Sequence, residues 1–301
     1  MNGILVLDKP AGFTSFDAVA KLRRLFATRK VGHAGTLDPM ATGVLPVMLG
    51  TATGACAYLT EKTKQYRAEM RFGLRTDTED VTGRILETSE KVPTLEVLSE
   101  AAQRMIGAYE QIPPMYSAIK INGKKLYELA REQIEIERQP RTVTLYDLKI
   151  LRQTAEDRFE LEVTCSKGTY IRTLITDLAR SVGCLAVMSA LRRLSTGSFS
   201  LKEAVTFEQL EAVPEDRRGQ LLLPVERAFE ALDSLTLSAF YSRLARNGQS
   251  VYQKRAGYAP YPVQTLIRMK DETGLFFALG EVVETPEGQA VHPIKQFPPE
   301  R

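Results

Sequence analysis

The stretch from Tyr66 to Leu74 alternates strictly between two kinds of residue. Apolar or aromatic residues occupy every second position, at Tyr66, Ala68, Met70, Phe72 and Leu74, and charged residues lie between them at Arg67, Glu69 and Arg71. Successive side chains of a β-strand point to opposite faces, so this pattern predicts a strand with one face buried. We therefore expect a sheet that is covered on one side.

Short apolar runs predict further strands. Residues 3–7 are predicted to form a buried strand, and residues 143–150 and 159–165 are predicted to form an antiparallel hairpin with a polar turn. Beyond about residue 230, short β-like runs such as 275–279 are separated by glycines and prolines. These later runs predict a small, mainly β C-terminal domain.

Apolar residues three or four positions apart predict three helices. The first follows Thr14-x-x-Asp17, a capping-box spacing, and its apolar stripe is Phe16, Val19, Ala20, Leu22, Leu25 and Phe26. The second spans residues 95–106, stops at Gly107, and turns inward Leu95, Leu98, Ala102, Met105 and Ile106. The third has Arg172 in its first turn, ends at Gly183, and turns inward Ile171, Leu174, Ile175, Leu178 and Val182.

The order of these elements predicts the fold class. Strands and helices follow one another irregularly, without a repeating βαβ unit, which favours an α+β fold with a mixed, largely antiparallel central sheet flanked by helices and loops. We assign residues 1–230 to this domain and residues 231–301 to the small β-rich one. The sequence contains no dinucleotide-binding fingerprint and no P-loop.

Composition excludes several classes of protein. No apolar run approaches the roughly 20 residues that span a bilayer, and the N-terminus lacks the features of a signal peptide, so we expect a cytoplasmic protein without a membrane partner. The three cysteines, at positions 56, 165 and 184, are far apart and only two histidines are present, which disfavours disulfides and a structural metal site.

Charge is distributed unevenly, although the net charge is only +3. Residues 9–75 contain eleven Lys or Arg against four Asp or Glu, whereas residues 76–110 contain three against eight. The first block could attract phosphates, and it could equally be a solvated helix face.

The segment from Gly32 to Pro46 surrounds one acidic residue, Asp38, with glycines and prolines. Such a composition is typical of a rigid loop whose backbone approaches a ligand, although an isolated Asp-Pro pair is more often a simple turn. His33, on the same loop, is by itself an ordinary polar residue, and its planar ring could also stack on an exposed base. The loop alone does not decide between these readings.

Several motifs in a fixed order resemble the TruB family of pseudouridine synthases. They are Leu7-Asp8-Lys9-Pro10-x-Gly12, GHAGTLDPMATGVLP from Gly32, Lys64-Gln65-Tyr66-Arg67, Arg75-Thr76-Asp77-Thr78-Glu79-Asp80, Pro114-Met115-Tyr116-Ser117-Ala118 and CSKGTYIRTL from Cys165. The ordered set covers roughly residues 3–199 and is far more specific than any one motif. The later part matches more weakly, and its Arg246-Asn247-Gly248 resembles the small PUA-type RNA-binding domain of bacterial members.

The resemblance implies an enzyme that isomerises uridine to pseudouridine in the T-loop of tRNA, by convention at position 55, without cofactor or metal. It implies that Asp38 is the catalytic aspartate, that Arg172 pairs with it, and that Tyr66 stacks on the target base. Tyr170 and Leu191 would line the base pocket, and His33 would fill the space that the flipped nucleotide leaves. Asp80, on an acidic loop, would be able to contact Arg172 as well.

General chemistry makes these roles reasonable. An ionised carboxylate can attack a carbon or remove a proton near the anomeric centre, and the sequence leaves these two routes open. Burial alone favours a neutral carboxyl group, so a guanidinium such as that of Arg172 is needed to hold the anion. The base must also be extruded from the folded loop, at a cost of a few kcal/mol. Stacking on Tyr66, at about 1–3 kcal/mol, would offset part of that cost.

Two other functions remain open at this point. A related class of enzyme modifies ribosomal RNA with a guide RNA, but the absence of a long lysine-rich tail favours a protein that needs no guide. The chain could also act as a tRNA-folding chaperone, a role that is compatible with catalysis. We take a monomer as the default state.

Overall fold

The structure is a computed structural model that describes residues 1–60, 63–121 and 123–298. In chain order, the strands up to residue 200 are β1 (Gly3–Lys9), β2 (Val31–His33), β3 (Thr42–Leu49), β4 (Lys64–Phe72), β5 (Leu74–Thr76), β6 (Ile85–Thr88), β7 (Gly107–Gln111), β8 (Lys120–Ile121), β9 (Lys124–Lys125), β10 (Arg141–Ala155), β11 (Arg158–Cys165), β12 (Ala186–Thr196) and β13 (Phe199–Ser200). The helices up to residue 230 are α1 (Ser15–Leu25), α2 (Cys56–Thr60), α3 (Leu95–Arg104), α4 (Leu126–Arg131), α5 (Ile171–Ser181) and α6 (Phe207–Ala212). Short 3-10 helices cover Gly50–Ala55, Leu201–Glu203, Glu215–Leu221 and Val225–Phe229.

The central sheet has the strand order β1-β3-β12-β4-β11-β10-β7, with β2 beside β3 and β13 beside β12. The pairings in this sheet are antiparallel, except that β3 and β12 run parallel over a short contact. Helices α1, α3 and α5 pack on one face and share a single core with the sheet. The predicted α+β class and the mixed, largely antiparallel sheet are therefore confirmed.

A second sheet is built from the C-terminal part of the chain. Its elements are β14 (Ser234–Thr236), α7 (Ala239–Arg246), β15 (Val251–Tyr252), α8 (Gln253–Ala256), β16 (Leu266–Lys270), β17 (Phe276–Thr285) and β18 (Gly288–Gln296). The strands lie in the order β14-β16-β17-β18-β15, so this part of the chain is mainly β as predicted. The domain boundary at residue 230 stays a prediction.

The second sheet packs directly on the first domain. The rings of Phe229, Phe276 and Phe297 lie with their centroids 5.5–5.7 Å apart, and Tyr58 packs edge-on against Phe229 at 5.6 Å. These rings belong to a core that also contains residues of β1 and β3. The C-terminal sheet is thus attached through buried apolar surface, the dominant favourable contribution to packing.

Strand β4 has the alternation that the sequence predicts. Tyr66, Ala68, Met70 and Phe72 are buried, and Arg67 between them is exposed. Leu74 is buried as predicted, but it does not belong to this strand, since it lies in β5 of a separate two-stranded hairpin with β6. Gly73 has a φ of +90°, which bends the chain away from the central sheet before Leu74.

Two residues predicted to be buried on helices are exposed. Phe16 is 68% exposed, because Ser15 takes the inward position of the first turn of α1 and each further residue is rotated by about 100°. Ile106 is 38% exposed, because α3 ends at Arg104 and the chain turns through Gly107 at a φ of +113° into β7. The predicted capping box at Thr14 and Asp17 is present.

Helix α5 agrees closely with its prediction. Ile171, Leu174, Ile175 and Leu178 are buried against the sheet, and Gly183 follows the helix with a φ of +71°. Arg172 lies in the first turn and is only 5% exposed. The amphipathic helix therefore carries a charged side chain into the interior beside the central strands.

Candidate active site

Asp38 lies on the loop between β2 and β3, and the chain's N-terminal segment holds this loop on both sides of it. Ser15 Oγ accepts a hydrogen bond from the Leu37 N–H at 2.9 Å and donates one to the Leu37 carbonyl at 3.2 Å. The Pro39 carbonyl accepts a hydrogen bond from the Gly12 N–H at 2.9 Å. The backbone that carries the Asp38 side chain is therefore fixed before and after it.

Lys9 adds a buried cation beneath the same loop. Its side chain is fully buried, and Nζ donates to the carbonyls of Pro10 at 2.9 Å, Phe13 at 2.6 Å and Pro39 at 3.4 Å. Burial lowers the pKa of Lys9 to about 8, against the opposing attraction of the Asp38 charge. The sequence shows Lys9 only as part of a family motif, since binding to backbone carbonyls leaves no signal in residue spacing.

Asp38 and Arg172 meet in the structure, although they are 134 positions apart in the chain. Arg172 Nε lies 3.0 Å from Asp38 Oδ2, and Nη2 donates to Oδ1 at 3.4 Å. Two contacts side by side fix the plane of the carboxylate as well as its position. The Asp38 side chain is 36% exposed and that of Arg172 only 6%, so the carboxylate remains accessible from outside.

The rest of the Arg172 guanidinium is occupied by backbone. Nη1 donates to the Thr78 carbonyl at 2.9 Å, and Nη2 also donates to the Tyr116 carbonyl at 2.9 Å. A buried guanidinium needs such partners, because an unpaired charge is costly to remove from water. Arg172 thus joins three loops, those that carry Asp38, Thr78 and Tyr116.

Asp80 does not contact Arg172 in this structure. Its Oδ1 accepts hydrogen bonds from Thr78 Oγ1 at 2.8 Å, from the Thr82 N–H at 2.9 Å and from Thr82 Oγ1 at 2.5 Å. The carboxylate therefore organises its own loop, and the Thr78 carbonyl takes the place near Arg172. The contact between Asp80 and Arg172, which the family resemblance connects with the arm that covers bound RNA, stays a prediction.

Tyr66 and Leu191 lie on adjacent strands of the central sheet and on the same face. Tyr66 is on β4 and is 7% exposed, and Leu191 is on β12 and is 8% exposed. In the register of the two strands, Leu191 is opposite Ala68, two positions from Tyr66. Burial raises the pKa of Tyr66, and the charge of Arg193 opposes that rise.

Tyr170 precedes α5, two positions before Arg172. The Gln111 amide binds its backbone on both sides, since the Tyr170 N–H donates to Oε1 at 2.8 Å and the Tyr170 carbonyl accepts from Nε2 at 3.0 Å. Burial raises the pKa of the Tyr170 phenol. The side chain is therefore a partly buried, neutral ring beside the Asp38–Arg172 pair.

His33 is at the end of β2, opposite Val47 of β3. It is half-buried, and its Nδ1 atom has no hydrogen-bond partner among the described residues. Burial lowers the pKa of His33, and the charge of Arg193 lowers it further. His33 is thus a half-buried ring with a lowered pKa, five positions before Asp38, and its Nδ1 atom is buried.

Among the described residues, no group of three or more His, Cys, Asp or Glu side chains could hold a metal ion. In the same part of the chain, no helix is both long and apolar enough to cross a membrane. The site that the structure does assemble is one accessible carboxylate, held by a buried arginine and lying near aromatic and apolar side chains. Such a site can bring a fixed negative charge to a flat, partly apolar ligand.

Comparison with known proteins identifies the family. Residues 23–171 match the TruB family pseudouridylate synthase (N terminal domain), and residues 172–230 match the tRNA pseudouridylate synthase B C-terminal domain. A protein of Alkaliphilus oremlandii named tRNA pseudouridine synthase B is 46% identical over 84% of this chain and 83% of its own length. The chain belongs to the TruB family of pseudouridine synthases.

Other comparisons agree with that assignment. The tRNA pseudouridine synthase B of Oceanobacillus iheyensis is 41% identical over 99% of this chain and 98% of its own. Among solved structures, the crystal structure of a Cbf5-Nop10-Gar1 complex has a TM-score of 0.76 at 26% identity, covering 99% of this chain and 85% of that one. This TruB-family chain is therefore an isomerase that converts uridine to pseudouridine, and the resemblance found in the sequence is confirmed.

Proposed function

We propose that the protein isomerises uridine 55 in the T-loop of tRNA, with Asp38 as the group that acts on the flipped nucleotide. The observation that carries this proposal is the Asp38–Arg172 pair, in which a buried guanidinium orients a carboxylate that stays 36% exposed. Two contacts side by side fix the plane of this carboxylate, which holds it in one orientation toward a bound nucleotide. The relatives are named tRNA pseudouridine synthase B, which supports tRNA as the substrate.

The neighbouring side chains fit a flipped uridine. In this proposal the uracil ring stacks on Tyr66, with Leu191 and Tyr170 as the other walls of the pocket. Burial of these side chains excludes water from the base and offsets part of the cost of unstacking it. His33, with its unpartnered Nδ1, would occupy the space that the nucleotide leaves in the T-loop. Asp80 would approach Arg172 only after its loop rearranges on the bound RNA.

The remaining parts of the proposal concern partners. We propose that the enzyme acts as a monomer in the cytoplasm, without a guide RNA, and that neither metal nor organic cofactor takes part. Residues 231–301 would form a PUA-like domain that adds contacts to the tRNA. Because this β-rich part is attached through a buried aromatic cluster, it would present a fixed surface relative to Asp38.

The experiment uses the purified full chain with one unmodified tRNA transcript, without guide RNA or added metal. Pseudouridine is mapped by position, on this transcript and on a second one with cytidine at position 55. We expect a single modified site at position 55 in the first transcript and none in the second. Absence of product from the wild-type chain, or product only after a guide RNA is added, would overturn the proposal.

The role of Asp38 is tested by Asp38→Asn, with Asp157→Asn as a matched control. In both cases an aspartate Oδ2 lies 3.0 Å from an arginine Nε, from Arg172 in the first and Arg71 in the second. We expect Asp38→Asn to bind tRNA but form no pseudouridine, and the control to remain active. Full activity of Asp38→Asn would remove Asp38 from the mechanism.

A further inference from the structure

Arg193 carries a buried charge that no acidic side chain neutralises among the described residues. It is fully buried, and its hydrogen bonds are to backbone, from Nε to the Val44 carbonyl at 2.6 Å and from Nη2 to the Gly35 carbonyl at 3.0 Å. Nη1 is buried and has no hydrogen-bond partner in the described part of the chain. A buried charge without an acidic partner is unfavourable, so a side chain in this position is held there by its other contacts.

The strand register places Arg193 directly between two other elements of the site. On β12 it is opposite Tyr66 of β4 on one side and opposite Gly43 of β3 on the other. Side chains directly opposite on antiparallel strands have Cβ atoms about 5 Å apart, so the arginine and the phenol are neighbours. On the other side, Gly43 allows the backbone of β3 to approach that of Arg193 closely, since a Cβ at Gly43 would lie 2.2 Å from the Arg193 carbonyl oxygen.

The two carbonyls that Arg193 binds bracket the loop that carries Asp38. Gly35 precedes Asp38 by three positions, and Val44 follows it on β3. Gly35 has a φ of +78°, and a Cβ there would lie 3.3 Å from Nη1, so this part of the loop is close to the free end of the guanidinium. Arg193 therefore contacts both ends of the catalytic loop and lies beside the pocket tyrosine.

Electrostatics links the same groups. Burial raises the pKa of Tyr66, and the Arg193 charge is the largest influence that lowers it. The Arg193 guanidinium also lowers the pKa of Tyr66 as a hydrogen-bond donor, and Nη1 is its one nitrogen without a partner among the described residues, so Nη1 is the atom available for a full hydrogen bond to the phenol. A small movement of the Tyr66 ring when a base stacks on it would complete that bond.

We propose that Arg193 is a positioning residue, whose Nη1 holds the phenolic oxygen of Tyr66 while Nε and Nη2 hold the two ends of the Asp38 loop. One rigid guanidinium then sets the distance between the ring on which the uracil stacks and the carboxylate that acts on the nucleotide. The inference rests on the proposed function, because it takes Tyr66 as the stacking residue. A planar fork can serve three acceptors in this way, and the point charge of a lysine cannot.

The main test is Arg193→Lys. The matched control is Arg192→Lys, at the preceding residue of the same strand. Arg192 faces the other side of the sheet and pairs with Asp8 at 2.7 Å. Single-turnover rates are measured with tRNA at saturating enzyme and normalised to the fraction that binds tRNA. We expect Arg193→Lys to lower the maximal rate by about 10- to 100-fold, because a displacement of reacting groups by about 1 Å has an effect of this size. The enzyme concentration that gives half of the maximal rate should change by less than about twofold. The control should change neither quantity.

A second measurement observes Tyr66 itself, without catalysis. With 3-fluorotyrosine at position 66, the fluorine resonance reports the surroundings and mobility of the ring. We expect this signal to shift and broaden in Arg193→Lys, and in Arg193→Gln as a second variant, and to be unchanged in Arg192→Lys. An unchanged signal in both Arg193 variants, or a normalised rate within about twofold of wild type in Arg193→Lys, would overturn the inference. If the wild-type chain forms no pseudouridine, the proposed function is refuted instead. The fluorine signal would still test the contact between Arg193 and Tyr66.

Discussion

Replacing Arg172 by lysine should separate the orienting role of this side chain from its charge. In the structure its guanidinium makes two contacts with Asp38 and one each with the Thr78 and Tyr116 carbonyls. A lysine presents all its N–H groups from a single nitrogen and cannot hold both carboxylate oxygens and two carbonyls on different loops. Arg172→Lys therefore keeps the positive charge and loses the planar, branched set of N–H donors.

The magnitude follows from the contacts that are lost. A hydrogen bond to a charged group contributes about 1.5–3 kcal/mol, and the second contact to Asp38 is the one that fixes the plane of its carboxylate. We expect that contribution to be lost from the transition state. Because about 1.4 kcal/mol of transition-state stabilisation corresponds to a tenfold change in rate, the rate should fall to about 10- to 100-fold below wild type. The two carbonyls are left without their buried donor, which should lower the free energy of unfolding by a further few kcal/mol.

The assay is single-turnover pseudouridine formation at saturating enzyme, with urea unfolding of the free protein. Arg180→Lys is the control, since Arg180 lies on the same helix, is 71% exposed and pairs with Asp177 at 3.0 Å. Exposed pairs of this kind contribute about 0–1 kcal/mol, so the control should retain both stability and rate. A wild-type rate in Arg172→Lys, in protein shown to be folded, would refute the argument that the fork orients Asp38.

Three further changes test the support of the loop that carries Asp38. Ser15→Ala should reduce stability by about 1–3 kcal/mol and also slow catalysis, whereas Ser242→Ala, which removes another buried hydroxyl bound to a backbone carbonyl, should affect only the urea midpoint. Gly43→Ala should lower the free energy of unfolding by about 3 kcal/mol or more, because the added Cβ meets the carbonyl of a neighbouring strand. Gly183→Ala should lower it by only about 1–2 kcal/mol, because Gly183 also has a positive φ but its Cβ would meet open space. Thermal unfolding checks both values. The pKa of Lys9 is lowered to about 8, so Lys9 releases its proton in the folded state before it does so near 10.5 in the unfolded chain. Its contribution to the free energy of unfolding should therefore rise as the pH goes from about 8 to 10.5. Urea unfolding checks this, since the free energy of unfolding of wild type minus that of Lys9→Met should increase over the same range.

The sequence predicts those elements whose form depends on a regular pattern of burial. Helix α5 and strand β4 each bury one face along their length, and their periods of 3.6 and 2 are visible in the residues. The errors occur where that pattern ends. Leu74 continues the alternation past Gly73, where the chain leaves the sheet, and Ile106 continues the stripe of α3 beyond its last turn.

The site is predicted less completely, for a physical reason. Asp38 and Arg172 were paired through the resemblance to a family, because no local pattern relates residues so far apart in the chain. The sequence does not predict the contacts of Ser15, Lys9 and Arg193 with the Asp38 loop, although Lys9 belongs to one of the family motifs. Each acts on backbone N–H or C=O groups, which every residue has, so the partner leaves no trace in the sequence.

Buried cations lie around the Asp38 carboxylate, among them Arg172, Lys9 and Arg193. Arg172 pairs with Asp38, whereas Lys9 and Arg193 are bound to carbonyls, and the charges of Asp38 and Arg193 both reach Tyr66. A surplus of positive charge in a poorly screened interior stabilises negative charge on a neighbouring group. A uracil ring released from its ribose would carry such a charge while it rotates over Tyr66.

This electrostatic role predicts an order of rates among variants at position 193. Arg193→Lys loses the geometry and keeps the charge, and Arg193→Gln loses both, so the single-turnover rate should fall from wild type to lysine and again to glutamine. The second decrease should be about tenfold or more, corresponding to about 1.4 kcal/mol of charge stabilisation in the transition state. It should also be insensitive to salt, since a fully buried charge is screened little by ions. Equal rates for the two variants would show that Arg193 acts through its contacts alone, and that its buried charge has no part in the reaction.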